Sequence, residues 1–231
     1  MRIAIHQPEY FPWLGFIDKA RRADVLVLLD DVQFDRSSLQ HRARVAGPNG
    51  LVWLTIPFVH RFPQRIDEVA FSDDRWKIKH LKTLQACYGR APGWSAAAHA
   101  LEGFFGGAHA RLVDAAVASV ELLLHAFGAA PRLVRASTLG VPGEKADLVL
   151  GICRALGATR YLSGRSGASY LDAAAFTLAG VAIDVQSFAV PTYPRARPLP
   201  DDARGLSALD AWLALGRDAP AVLENSCPAS S

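Results

Sequence analysis

Between Arg2 and Leu29 the chain compresses a strand, a helix and a second strand into one continuous run. Ile3 to Ile5 is apolar, Trp13 to Arg22 has helical spacing, and Val25 to Leu29 (VLVLL) is apolar without a break. A strand apolar on both sides is buried on both, and two such strands joined through a helix pair in parallel with a right-handed crossover. Pro12 suits the helix start, where its missing N–H costs no hydrogen bond. This unit restricts the fold to layers of helices packed on a parallel sheet.

The same rhythm returns late in the chain. Strands are expected at 131–136, 159–163 and 181–187, and helices at 144–156, 170–178 and 206–216, the first two of these closed by Gly157 and Gly180. With 2–6 and 25–29 that makes about five parallel strands. The middle is different. HRARVAGPNGLVWLTIPF carries two β-like runs around Gly47-Pro48-Asn49-Gly50 and predicts a hairpin. Helices follow over 72–88, 95–105 and 109–127. In the first of these Ser72 is the expected cap. Trp76, Ile78, Leu81, Leu84 and Cys87 are its expected buried stripe, and Lys77, Lys79, His80 and Lys82 its exposed face. The expected fold class is therefore a doubly wound, Rossmann-like, mostly parallel α/β sheet with a β-hairpin and helical insertion. It forms one domain over 1–218, with the insertion at about 36–128 and a flexible tail at 219–231.

Hydrophobic residues make up 51% and charged residues 20% of the 231, an ordinary balance for a chain with a packed core. The net charge of +3 permits an anionic ligand but does not predict nucleic acid, for which a clustered basic face would be expected. Cys87, Cys153 and Cys227 are odd in number and have no metal or disulfide spacing. No signal segment and no membrane span is expected, and a cytoplasmic location follows as the expectation.

In such a sheet the ligand lies beyond the C-terminal strand ends, near the switch in strand order. Each expected strand ends in polar groups: His6-Gln7, Asp30-Asp31 with Gln33, Ser137-Thr138, Ser163-Gly164-Arg165-Ser166-Gly167, and Gln186-Ser187. The Ser/Gly turn at 163–167 offers backbone N–H groups to an anion, with Arg165 as a fork for phosphate or carboxylate. Asp30 and Asp31 suit a divalent cation, a basic substrate or proton abstraction, and His6 suits a base. Gln40, Arg42 and Arg44 alternate and so share one strand face, while Tyr10 and Trp13 can stack on a flat ring. No Ser-His-Asp order, G-x-S-x-G, H-E-x-x-H or CxxC is present.

IHQPEYFPWLGFIDKARRADVLVLLDDVQF, then LQHR, WLTIPF, RYLSGRSGASYLD and LSALD, in that order from Ile3 to Asp210, resemble the WbqC-like family. Members of that family are typically encoded among genes for O-antigen and related polysaccharides or natural products. The resemblance puts functional weight on His6, Gln7, Pro8, Tyr10, Pro12, Trp13, Gly15, Asp30, Asp31, Gln33, Arg42, Ser163, Gly164, Gly167 and Tyr170. Two positions depart from the family pattern: His41 where Asn is expected, and Arg195 where Gln is expected. A second likeness, at fold level, is to HxGH nucleotidylyltransferases. Here Trp13-Leu14-Gly15-Phe16 puts aromatics at both histidine positions.

The resulting expectation is a transferase of polysaccharide or natural-product biosynthesis. It would move an acyl, aminoacyl or glycosyl group from an activated, phosphate-bearing donor to an amine or hydroxyl of a sugar-like acceptor. His6, Asp30 and Asp31 are its expected catalytic groups. Gln7, Tyr10, Trp13, Gln33, Gln40, Arg42 and Tyr170 are expected to bind substrate, and Ser163, Gly164, Arg165, Ser166 and Gly167 to bind phosphate. The alternatives are an adenylate-forming or nucleotidyl-transferring enzyme and a non-catalytic scaffold. The cofactor is left open, with Mg²⁺ beside a nucleotide or nucleotide-sugar as the candidate. The candidate partners are small molecules, a carrier protein or a second copy of the chain.

Overall fold

The computed structural model describes residues 1–59, 61–169, 171–196 and 205–226, and at 166, 168, 225 and 226 the backbone alone. The opening unit is β1 (Arg2–His6), α1 (Leu14–Arg21) and β2 (Val25–Leu28). The insertion begins with the antiparallel hairpin β3 (Arg42–Gly47) and β4 (Gly50–Thr55) and the short pair β5 (Phe58–Val59) and β6 (Ala70–Phe71). It ends with α2 (Arg75–Tyr88), α3 (Trp94–Gly106) and α4 (Leu112–Ala126). The chain then returns through β7 (Arg132–Arg135), α5 (Lys145–Ala155), β8 (Arg160–Ser163) and the single turn α6 (Arg165–Ala168). It finishes with α7 (Ala173–Leu178), β9 (Ala182–Val185) and α8 (Ala208–Leu215).

β7, β2, β1, β8 and β9 lie side by side in that order, all parallel. Numbered by occurrence in this sheet the order is 3-2-1-4-5, the arrangement of the doubly wound dinucleotide-binding folds. The two sheet faces follow the strand alternation. Ala4, Leu26 and Leu28 point to the face covered by α1, the insertion and α8, while Ile3, Ile5, Val25 and Val27 point to α5 and α7. Among the described residues no helix is long and apolar enough to cross a membrane.

Two buried polar networks tie the insertion to the rest of the domain, one to α8 and one to the opening turn. Asp210 accepts hydrogen bonds from Tyr88 (2.7 Å) and Tyr193 (2.8 Å), and the Tyr88 hydroxyl itself accepts from the Ala46 N–H. Tyr10 meets His80 Nδ1 at 2.9 Å, and His80 Nε2 meets the Thr55 carbonyl at 3.2 Å. The carbonyl only accepts, so Nε2 carries the proton and Nδ1 accepts from Tyr10.

This corrects the expected α2 surface. His80 is buried and Ile78 is 64% exposed, because the buried stripe runs Trp76, His80, Leu84, Cys87 and Tyr88 at helical spacing. The expected cap Ser72 lies ahead of the helix and donates its N–H to the Pro57 carbonyl, and the helix starts after Asp74. Of the expected tail at 219–231, residues 227–231 lie outside the described residues. Residues 216–226 form a 3-10 segment, and Ala219, Val222 and Leu223 pack into the core, which gives that stretch apolar burial to hold it.

Candidate functional site

β1 and β8 are neighbours in the sheet although α1, β2, the insertion and β7 separate them in the chain. Their connections leave in opposite directions, and a crevice opens at their C-terminal ends. A cavity of about 600 Å³ occupies it, lined from β1 by His6 and Gln7, from α1 by Trp13, Gly15, Phe16 and Lys19, and from the far strands by Gly164, Arg165, Gly167 and Gln186.

Local physics explains the crowded turn after β1. Phe11 adopts φ 43°, a left-handed backbone that bulky residues avoid, and its N–H donates to Ser119 Oγ at 2.8 Å. Tyr10 and Phe11 are thereby driven into the core of the insertion, while Trp13 stays at the cavity. Gly15 permits this: a Cβ there would stand 2.2 Å from the Trp13 indole. On α1, Gly15, Phe16 and Lys19 fall at i, i+1 and i+4 and so share the helix face that the cavity exposes.

The charges in this cavity are poised by burial. Lys19 Nζ donates to the Ile5 carbonyl at 3.1 Å, and burial pushes its ammonium down to about 8 despite the opposing charge of Glu9. Glu9 is buried beside it. Burial pushes its carboxyl up to about 7 against the pull of Lys19, and its Oε2 has no hydrogen-bond partner among the described residues. His6 Nδ1 lies 2.9 Å from the Gln7 carbonyl, which only accepts, so Nδ1 carries the proton and Nε2 keeps its lone pair. Burial and then the charge of Lys19 push His6 down to about 3, so the imidazole is neutral. Gln186 Nε2 donates to the Gly15 carbonyl (2.8 Å) and to Asp18 (2.9 Å), fixing α1 against the end of β9.

A second cavity, about 960 Å³, adjoins the first. Gln7, Leu29 and Val149 line both. Asp31, Gln33, Arg65, Glu144 and Lys145 supply the polar lining of the second. Gln7 is held from behind: Gln40 Nε2 donates to its Oε1 at 2.9 Å.

The sequence-predicted residues thus divide. His6, Gln7, Trp13, Gly164, Arg165 and Gly167 meet at the first cavity, and Gln7, Asp31 and Gln33 at the second. Asp30 reaches neither. It is fully buried, accepting from Arg135 Nε (2.6 Å), from Ser137 N–H (2.9 Å) and from the Ser137 hydroxyl (2.9 Å). With its oxygens so occupied, Asp30 and Asp31 do not offer a shared cation position. Among the described residues no group of three or more His, Cys, Asp or Glu is clustered for a metal.

Tyr10 is enclosed in the core and Gln40 lies behind Gln7. Arg42 donates to the Ser37 and Ser38 carbonyls and stacks on Trp53, as Arg44 does from the same strand face. Ser163 is buried, its hydroxyl donating to the Gly164 carbonyl. Ser166 is described by its backbone alone, and Tyr170 lies outside the described residues. Of the two departures, His41 packs between Phe34 and Phe58, and Arg195 stacks on Tyr193. The helix after Gly164 is one turn long, so attraction for an anion rests on Arg165 and Lys19 rather than on a helix dipole. Lys19, Glu9 and Phe16 are the site groups that sequence reasoning missed.

The chain matches the model of the WbqC-like protein family over residues 7–222. It is also similar to "Uncharacterized protein Rv1507c" of Mycobacterium tuberculosis (strain ATCC 25618 / H37Rv), 27% identical over 178 residues, which cover 76% of this chain and 77% of that protein. No solved structure matches it.

Proposed function

Because the chain belongs to the WbqC-like protein family and carries a cationic cavity where β1 meets β8, we propose that it is a transferase of polysaccharide or natural-product biosynthesis. Its donor is activated through phosphate and delivers an acyl, aminoacyl or glycosyl group to an amine or hydroxyl of a sugar-like acceptor. The observation that carries this reading is the lining of the first cavity. Among the described residues Lys19 and Arg165 are its charged side chains, and no acidic side chain lines it.

In the reaction the acceptor nitrogen or oxygen bonds to the donor carbon. The carbon–oxygen bond to phosphate breaks, with its electron pair staying on the phosphate oxygen. Lys19 and Arg165 balance the charge that gathers there. His6 Nε2 takes the acceptor proton, a step its low basicity allows only once phosphate brings negative charge beside it. Trp13 and Phe16 supply flat apolar surface for the rest of the donor.

A second reading, nucleotidyl transfer or adenylate formation, is favoured by one observation. The two aromatics at the HxGH positions, Trp13 and Phe16, both line the cavity. Titration calorimetry with UDP, ADP and inorganic pyrophosphate tests the site common to both readings. One-to-one binding of at least one probe is expected, and heat from none of them contradicts the proposal. Pyrophosphate released from ATP and Mg²⁺ on adding amine acceptors marks the second reading.

A further inference from the structure

The second cavity differs from the first in the chemistry it offers. Asp31 lines it as a half-buried side chain, and its Oδ1, turned into the wall, has no hydrogen-bond partner among the described residues. Its sequence neighbour Asp30 has both oxygens satisfied. A buried carboxylate oxygen without a donor is costly, and a ligand N–H or O–H removes that cost. Arg65 attracts Asp31 through its charge, but its guanidinium hydrogen bonds go to Asp67, at 3.0 and 2.6 Å. Glu144 lines the same cavity, so an anionic ligand would meet two carboxylates, and exposed Lys145 is the other cation on the wall. Val141, Pro142, Leu148 and Val149 form an apolar side suited to the carbon face of a sugar ring.

We propose that this second cavity binds a small protonated amine, an amino sugar foremost, with the ammonium anchored on Asp31, and that it is the acceptor site, the accepting group being a hydroxyl of the same molecule. The word acceptor rests on the transferase reading; the binding of an amine at Asp31 does not. Gln7 lines both cavities, so a molecule held on Asp31 lies next to one held by Lys19 and Arg165. Burial and the neighbouring Asp30 raise the Asp31 carboxyl from its ordinary range, and an ammonium beside it returns it to the charged form.

The test is titration calorimetry with glucosamine and ethanolamine against their neutral counterparts glucose and ethylene glycol. The parent protein should bind at least one amine about tenfold or more tightly than its neutral counterpart, the size of a lost charge-assisted hydrogen bond. Asp31→Asn should abolish that preference while its melting curve and its UDP binding stay those of the parent. Equal affinities for amine and neutral probe, an amine preference that survives Asp31→Asn, or no amine binding at all overturns the assignment. UDP is titrated in parallel. Amine binding without UDP binding defeats the donor reading and leaves this one standing, and the converse result separates them the other way.

Discussion

Two cavities share a wall at Gln7 and differ in their lining. Among the described residues the first presents Lys19 and Arg165 with no acidic side chain, whereas the second mixes Arg65 and Lys145 with Glu144 and Asp31, whose Oδ1 lacks a partner. The contrast with the interior is as sharp. There Asp30, Asp210 and His80 are polar and buried, but hydrogen-bonded to neighbours. Polar groups with complete partners hold a fold together, whereas Asp31, short of a partner and set in a cavity wall, is placed where a ligand can complete the bonding. The strand alternation separates the two neighbouring aspartates. Leu29 and Asp31 continue the Val25–Val27 side toward α5, and Asp30 continues the Leu26–Leu28 side toward the insertion.

Predictions that break or sharpen this contrast run from large to small. Asp30→Ala should destabilise the protein by about 2–4 kcal/mol, somewhat below the 3–5 of a fully buried pair because Arg135 is 34% exposed. Denaturant unfolding measures it, and a stable variant with lost ligand binding would put Asp30 in the site instead. Lys19→Met should weaken UDP binding by about 10–100-fold and also lower stability, since the Ile5 carbonyl loses its donor and buried Glu9 its cation. Glucosamine binding should not change.

His6 carries a pH signature. Its folded value of about 3 lies below its ordinary 6.5, so its contribution to stability is present above 6.5 and is lost as pH falls toward 3. His6→Asn removes that loss. The stability of the parent relative to the variant should therefore fall by about 1–3 kcal/mol between pH 7 and pH 4, and a constant difference would mean an unperturbed imidazole. The smallest effect belongs to Gln40→Ala. Loss of its hydrogen bond to Gln7 should weaken UDP and glucosamine binding alike by about fivefold, near 1 kcal/mol. Weakening of one ligand alone would show that Gln7 serves a single cavity.

The central parallel pair was legible because Ile3–Ile5 and Val25–Leu28 are apolar on both faces, and the hairpin because Gly47-Pro48-Asn49-Gly50 stands between two β-like runs. The side-by-side order of the strands was not written in any segment, since crossovers and packing set it. Strand-end groups such as Gln7, Asp31 and Arg165 could be located from the expected strand ends alone. Lys19 could not. Its place at the cavity depends on which face of α1 looks toward β8, and a lysine in a short helix reads as solvated until that face is known. Tyr10 and Gln40 were misplaced for the complementary reason. The left-handed turn at Phe11 carries Tyr10 inward, and Gln40 folds behind Gln7 to become its support.

The most direct test is a crystal structure of the protein soaked with UDP. The diphosphate should lie within hydrogen-bonding distance of Lys19 Nζ and Arg165, with the base against Trp13 or Phe16 and Asp31 left free of it. Diphosphate bound in the second cavity, or a first cavity left empty while UDP occupies another surface, would contradict the assignment.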